Sequence, residues 1–449
     1  MLYEFLRERM LQNPRQTLSD QCRTFTYKEA LEYSKALARK LAQNKYGVLC
    51  RSELNAGLGI LSCLAAGKTA VPLSYRYGQA HTERIIRHIG ISLILTDENG
   101  ALEVRQIADP MPEPENLTDV ALILCTSGTT GTPKGAMITH ENLMTNLLDI
   151  ERYFYIGDSD RILIARPLYH CAVLTGEFLI SLCRGLDISF YNGEFNPIRL
   201  TREIVTRDVS VLCGTPTLFY HLCQMAKRQK MPLPLKAAAV SGECMTEVVA
   251  KSMRSVLPST EIYNVYGLTE ASPSVSALSH EQFDTFPLSV GFPLRSVESK
   301  TENGELLIHG KSIMRGYYND PTQTVKALAD GWLHTGDAAE LDDDGRIFIK
   351  GRKDNMIIRA GMNIYPQEIE SALKSDPRIS EAFAFGVLEG ITQRLHVRVV
   401  AEGLSKAELM SICRERLPAY EIPDAAEIVD ALPRNASGKL LRPKVVMSA

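Results

Sequence analysis

Between residues 117 and 266, short apolar runs rich in β-branched residues alternate with amphipathic stretches, each pair about as long as one strand and one helix. The runs at 120–125, 162–166, 209–213, 237–240 and 262–265 read as strands, and segments such as 141–153 and 217–227 read as helices. That alternation predicts βα units and a mainly parallel sheet. The strands end in Thr126-Ser127-Gly128, Pro167-Leu168-Tyr169-His170, Gly214-Thr215-Pro216, Ser241-Gly242-Glu243 and Tyr266-Gly267-Leu268-Thr269-Glu270. Ligands of open α/β sheets bind outside the carboxyl ends of the strands, so these five ends are expected to converge on one site.

Upstream, 25–31 opens a helix, and 70–73 and 92–96 read as strands with a helix between them. The stretch 109–115 reads as a surface connection. From 288 to 350 the pattern turns to short antiparallel strands, with Asp343-Asp344-Gly345 as a hairpin turn. Beyond 355 come a helix (367–373), strands (379–387 and 395–401) and another helix (406–417), the makings of a separate α+β lobe.

Composition narrows the function. With 50 Lys plus Arg against 53 Asp plus Glu, the formal net charge of −3 argues against a nucleic-acid binder or a polybasic membrane-surface protein. The ten cysteines have irregular spacing and no Cys-x-x-Cys pair, so they read as reduced thiols. The N-terminus carries charge in its first turn and no spanning-length apolar run follows, which together predict a cytoplasmic protein.

The densest chemical signal is Thr126-Ser127-Gly128-Thr129-Thr130-Gly131-Thr132-Pro133-Lys134-Gly135, read as following a strand and preceding a helix. Glycines let the backbone aim N–H groups at an anion, while the hydroxyls and Lys134 add donors and charge. Gly135 stands where a nucleoside-triphosphatase P-loop carries Ser or Thr, so this is a phosphate loop of another kind. Alone, such a segment also reads as a flexible surface loop.

This stretch closely resembles the phosphate-binding signature of the adenylate-forming superfamily, which holds the acyl- and aryl-CoA synthetases, the adenylation domains of nonribosomal peptide synthetases, and the luciferases. Four further motifs match in type and order: Tyr266-Gly267-Leu268-Thr269-Glu270, Gly331-Trp332-Leu333-His334-Thr335-Gly336-Asp337, Gly351-Arg352-Lys353-Asp354 with Gly361 beyond, and Pro433-Arg434-Asn435-Ala436-Ser437-Gly438-Lys439. The resemblance implies a large α/β N-terminal domain at 1–353, in a compact version, with doubly wound, mainly parallel sheets and a small barrel-like antiparallel part. It implies a mobile α+β C-terminal domain at 354–449, pivoting at Asp354.

Carried onto this chain, the resemblance implies that Thr126, Ser127, Gly128, Thr129, Thr130 and Lys134 contact phosphates, and that Glu270 holds Mg2+ beside the triphosphate. Thr269 would reach the α-phosphate. Ser241, Gly242, Glu243, Asn264, Tyr266 and Gly267 would surround adenine, and Asp337 and Arg352 would take the ribose hydroxyls. Lys439 would bridge the carboxylate and the α-phosphate, offsetting their repulsion in the transition state. In isolation Lys439 reads as a surface lysine, and Asp337 as a turn cap.

His170 stands where acid–CoA ligases often place an aromatic or His beside the substrate carboxylate, although a core His satisfied by backbone fits as well. Cys171 falls where amino-acid-activating domains carry an Asp, and a thiol cannot compensate a buried ammonium. An ordinary α-amino acid is therefore not the expected substrate. Ala172, Thr175, Ala239, Val265, Pro273 and Ser274 complete a small, mostly uncharged pocket, suited to an apolar or aromatic monocarboxylate. Glu177 on the same segment leaves open an amine remote from the carboxylate. The predicted enzyme is thus an AMP-forming acid–thiol ligase using ATP and Mg2+, with CoA as the expected acceptor. A freestanding adenylation enzyme loading an acyl, aryl or amino-substituted acid onto a phosphopantetheinyl carrier protein is the alternative.

Overall fold

A computed structural model of the chain describes residues 1–75, 79–98, 100–109, 113–126, 134–193, 195–359, 362–389, 392–418, 421–434, 440 and 446–447. The chain forms two compact units. One comprises Met1–Met245, Val249–Ser299 and Leu307–His334, and the other Thr246–Val248, Lys300–Leu306 and Thr335–Ala449.

The first unit contains two large sheets. In the nine-stranded sheet, Glu261–Gly267, Ala237–Ser241, Val211–Gly214, Arg161–Ile164, Asp187–Phe190 and Thr17–Ser19 follow one another in parallel. Antiparallel strands Ser274–Leu278 and Thr24–Thr26 continue it on either side. The seven-stranded sheet runs in the order Gly316–Tyr317, Lys134–Thr139, Val120–Thr126, Thr69–Pro72, Lys45–Leu49, Leu93–Thr96 and Glu103–Gln106. Residues 120–124 are buried in succession, as a parallel-sheet interior requires of strands covered on both faces. The helix Glu53–Ala65 is buried almost all round, and its largely apolar sequence matches that position.

Two sequence expectations need correction. The phosphate-loop segment does not lead straight into a helix: Lys134–Thr139 is a strand antiparallel to Val120–Thr126, pairing Lys134 with Thr126, and the helix His140–Tyr153 begins only after it. Gly135, Ala136, Met137 and Ile138 are buried between two neighbouring strands, so the sheet ladder satisfies their peptide groups. Thr139 then caps the helix in a capping box with Asn142. Second, the five strand ends belong to two sheets, because Val120–Thr126 lies in the seven-stranded one and the other four in the nine-stranded one.

In the second unit, the hairpin pairing Asp337 with Arg352 turns at residues 342–346, where Gly345 has φ +87°. A four-stranded sheet, in the order Ala425–Ile428, Thr392–Ala401, Ile379–Glu389 and Val446–Met447, packs with the helices Pro366–Lys374 and Lys406–Arg416 around Ile369, Leu373, Val397, Val399, Leu409 and Ile412.

Candidate active site

At the end of the nine-stranded sheet, Glu261–Gly267 carries the chain into the short turn Thr269–Ala271 that presents Glu270. Gly267 is required here by close approach: a Cβ on it would stand 2.3 Å from the carbonyl oxygen of Pro273. Glu270 is half-buried, its backbone carbonyl accepts from Met314 N at 2.8 Å, and its Oε1 accepts from the Tyr317 hydroxyl at 2.7 Å. Tyr317 is delivered by the two-residue strand Gly316–Tyr317, paired with Lys134–Thr139. The Lys134 ammonium lies 4.9 Å from the centre of the Tyr317 ring and donates to Gln323 Oε1 at 3.0 Å. A carboxylate at the hydroxyl and an ammonium over the ring thus meet on one tyrosine.

That set suits a magnesium triphosphate. Mg2+ binds through one or two carboxylates, keeping waters and phosphate oxygens for its other positions. Among the described residues no group of three or more His, Cys, Asp or Glu could hold a metal alone. Glu270 would supply a single anionic ligand and Lys134 a cation for phosphate, which fits a metal that arrives with its nucleotide.

The segment expected to line the acid pocket follows the strand Arg161–Ile164. His170 stands at the head of the turn Cys171–Val173, its ring against Tyr169 with centroids 4.1 Å apart. Cys171 is buried, and burial pushes its thiol up to about 12 in spite of a hydrogen bond with Thr175, while the charge of Glu270 pushes in the same direction. The thiol is therefore neutral. Thr175 and Glu177 lie in the π-helical segment Leu174–Leu179, both buried. Glu177, the residue that left open a remote amine, is engaged by Arg166: its Oε1 accepts from Arg166 Nη2 at 2.7 Å. Burial pushes Glu177 up to about 7, against the pull of Arg166. An amine on the substrate would meet a carboxylate already engaged by a guanidinium.

Several other predicted residues have structural partners. Asn264, at 1% exposure, donates from Nδ2 to the carbonyls of Ser289 (2.8 Å) and Pro287 (3.3 Å), so its amide nitrogen holds the 287–289 segment. Glu243 accepts from the Thr217 hydroxyl (2.6 Å) and backbone N–H (3.2 Å), at the start of the helix Pro216–Gln229. Ser274 is buried, with its backbone held by Asn146: Nδ2 donates to Ser274 O at 2.7 Å, and Ser274 N donates to Asn146 Oδ1 at 3.2 Å. Ser241 pairs in register with Val265, Ala239 with Tyr263, and Tyr266 lies half-buried beside the exposed Gly267. Thr269 and Ala172 are half-buried, whereas Pro273 is buried.

In the second unit, Arg352 Nη1 donates to Asp337 Oδ1 at 3.2 Å and to Thr335 O at 2.8 Å. Glu305 supports the pair by accepting from Gly336 N at 2.9 Å and from Lys353 Nζ at 3.2 Å. Asp337 and Arg352 thus come as one orientated unit. Ser127, Gly128, Thr129, Thr130, Gly361 and Lys439 lie outside the described residues, as do the side chains of Thr126 and Asp354. Tyr317, Gln323, Arg166 and Glu305 were not anticipated. Only Arg166 carries a local signal, a charge closing an apolar strand.

The Glu270–Tyr317–Lys134 cluster suits an enzyme that handles magnesium-bound nucleotide. The chain belongs to the AMP-binding enzyme family: that family's model matches residues 6–318, and the AMP-binding enzyme C-terminal domain matches 368–439. A feruloyl-CoA synthase of Amycolatopsis sp is 29% identical over 418 residues, covering 86% of this chain and 85% of that protein. A 2-succinylbenzoate–CoA ligase of Bacillus licheniformis is 29% identical over 428 residues, covering 89% and 88%. The structure of an O-succinylbenzoate coenzyme A synthetase from Bacillus subtilis, in complex with ATP and magnesium ion, superposes with a TM-score of 0.85 at 27% identity, covering 98% of each chain.

Proposed function

We propose that this chain is an ATP-dependent carboxylic acid–CoA ligase acting through an acyl-adenylate. A carboxylate oxygen attacks the α-phosphorus, pyrophosphate leaves, and the thiol of CoA then displaces AMP from the acyl carbon. The observation that carries the reading is the Lys134–Tyr317–Glu270 cluster, in a chain of the AMP-binding enzyme family. Magnesium, when bound, neutralises phosphate charge. Glu270 is its protein ligand, held by the Tyr317 hydroxyl. Lys134 binds phosphate, Thr269 donates to the α-phosphate, and Tyr266 lends its ring to adenine. Asp337 and Arg352 take the ribose hydroxyls, Asp337 as acceptor. His170 orients the carboxylate of the incoming acid, and Lys439 neutralises that carboxylate against the α-phosphate.

The residue type at Cys171, a buried neutral thiol, supports an acid without an α-ammonium. A pivot at Asp354 would let the C-terminal domain serve each half-reaction in turn. The ten cysteines form no disulfide among the described residues and most are buried, which supports a cytoplasmic setting, and no described helix is long and apolar enough to cross a membrane.

Isotope exchange between pyrophosphate and ATP over a panel of acids, followed by mass spectrometry after adding CoA or holo-carrier proteins, tests this. The expected outcome is acid-dependent exchange and an acyl-CoA product. No exchange with any acid by folded protein would reject the ligase reading, while acylated carrier without acyl-CoA would reassign the acceptor.

A further inference from the structure

Glu113 and Glu115 end the stretch that reads from sequence as a surface connection, yet both are half-buried and bond to residues 200 to 205 positions downstream. Glu115 brackets the two-residue strand Gly316–Tyr317. Its Oε2 accepts from Arg315 Nη2 at 3.2 Å on one side, and its Oε1 accepts from Asn319 N at 2.6 Å on the other. Arg315 Nη1 also donates to Asp119 Oδ1 and to the Asn116 carbonyl, both at 2.7 Å. Next to the strand, the Tyr318 hydroxyl donates to Glu113 Oε1, while Lys45 Nζ donates to that hydroxyl at 2.8 Å and to Glu113 Oε2 at 2.6 Å. One short segment, 113–119, thus holds the residues on both flanks of this strand.

Stability does not account for the gathering. Half-exposed ion pairs such as Arg315–Glu115 and Arg315–Asp119 contribute little. The largely buried Lys45–Glu113 pair is also a weak source of net stability, and fixing register is the best-attested use of such pairs. The strand needs that help. It stands at the edge of the seven-stranded sheet, paired only through Gly316 with Met137 and Tyr317 with Ala136. Successive side chains of a strand leave opposite faces, so holding Tyr318 on one face sets where Tyr317 leaves the other. Tyr317 carries the 2.7 Å hydrogen bond to Glu270 and lies 4.9 Å from the Lys134 ammonium. A displacement of about 1 Å would take that hydrogen bond past its working length.

We infer that the segment 113–119 is a clamp for the nucleotide cluster, with Glu115 as a positioning residue: by bracketing the strand it sets the Tyr317 hydroxyl against Glu270 and so raises affinity for nucleotide-bound Mg2+. This rests on the reading of Glu270 as the magnesium ligand. Glu115 acts through Tyr317, as a supporting shell acts through the group it orients.

The test is the Mg2+ concentration that half-saturates ATP binding, read by equilibrium dialysis with labelled ATP, so that no acid need turn over. Glu115→Ala should raise it about three- to tenfold, less than the roughly ten- to a hundredfold expected when Tyr317→Phe deletes the hydroxyl itself. Glu115→Gln keeps an acceptor for Asn319 N but not the ion pair, and should fall between the parent and Glu115→Ala. In a Tyr317→Phe background Glu115→Ala should add nothing, because the contact it positions is already gone. A Glu115→Ala variant that lowers the denaturation midpoint with the Mg2+ dependence unchanged would overturn the inference, leaving the clamp a stabiliser of the fold alone. Full additivity with Tyr317→Phe would overturn it too, as would a Tyr317→Phe variant with the parent's Mg2+ dependence. Should Glu115→Ala not fold, Glu115→Gln alone and on Tyr317→Phe decides. Mg2+-dependent ATP binding without pyrophosphate exchange on any acid would reject the ligase reading while the variants still decide the clamp, whereas no Mg2+-dependent ATP binding by the folded parent would reject the magnesium reading and the clamp together.

Discussion

Tyr317 touches both Glu270 and Lys134, and its two contacts can be separated. Tyr317→Phe keeps the ring beneath Lys134 and deletes only the hydroxyl that orients Glu270. Partners of metal ligands typically contribute roughly ten- to a hundredfold in metal affinity, so the Mg2+ concentration for half-maximal exchange should rise by about that factor. An unchanged Mg2+ dependence would show that the bond does not position the carboxylate. Gly267 tests packing at the same place. A Cβ would meet the Pro273 carbonyl at 2.3 Å, and backbone cannot yield as a side-chain tip can. Gly267→Ala should therefore cost about 1–3 kcal/mol in urea denaturation and displace Glu270, three residues on, with loss of exchange. Glu177 makes a prediction about pH. Folded, it holds its proton up to about 7, against 4.5 as its ordinary value, so the native state binds more protons across that interval. Stability should fall as pH rises from 4.5 through 7, by on the order of 3 kcal/mol from this group. Denaturation midpoints of Glu177→Gln against the parent across that range should differ by an amount that changes with pH, and a constant difference would contradict the assignment.

At the scale of elements, the helix His140–Tyr153 is tied to the site through Asn146, whose two bonds to the Ser274 backbone fix the segment that follows Glu270. Asn146 is fully buried, so Asn146→Ala leaves peptide groups without partners. A loss of about 1–3 kcal/mol is expected, together with a raised KM for the acid. A variant with normal stability and KM would mean that the strand Ser274–Leu278 is held without it. Elements of this kind also show what could be read beforehand. The strand ends were legible because Gly, hydroxyl, His and Glu residues cluster there on apolar runs of strand length. Lys134–Thr139 was hidden because a run buried on both faces has no alternation to distinguish it from the start of a helix. Asn264 and Glu243 carry family positions, but which backbone groups they satisfy depends on segments up to 26 residues away. Tyr317 and Glu270 are separated by 47 residues, and no local pattern announces that pairing. Arg166 could have been found: an arginine closing Ile-Leu-Ile-Ala demands a partner, and Glu177 is the nearest acid downstream.

For the whole molecule, a net charge of −3 is compatible with two anionic substrates only if cations are placed individually, as Lys134 is. Lys439, the last residue of the matched C-terminal family domain, is the proposed second such cation, and it belongs to one half-reaction alone. Adenylation brings a carboxylate against an anionic α-phosphate, which a bridging ammonium relieves. In thioester formation the bond between those groups already exists and the acyl carbon is attacked by a neutral or thiolate sulfur, so the same cation has little left to stabilise. Lys439→Ala should therefore lower pyrophosphate exchange by roughly 10²- to 10³-fold, the usual cost of removing one such contact. Transfer of the acyl group from a supplied acyl-adenylate to CoA should stay within about threefold of the parent, a free-energy change under about 1 kcal/mol. Glu270→Gln is expected to behave alike, because a ligand of nucleotide-bound magnesium matters while pyrophosphate is leaving: it should fail at exchange while accepting the preformed adenylate. Lys439→Ala losing both half-reactions equally would place the lysine in the fold or in adenylate binding, and would remove the reason for a pivot at Asp354 that carries it in for one step and away for the next.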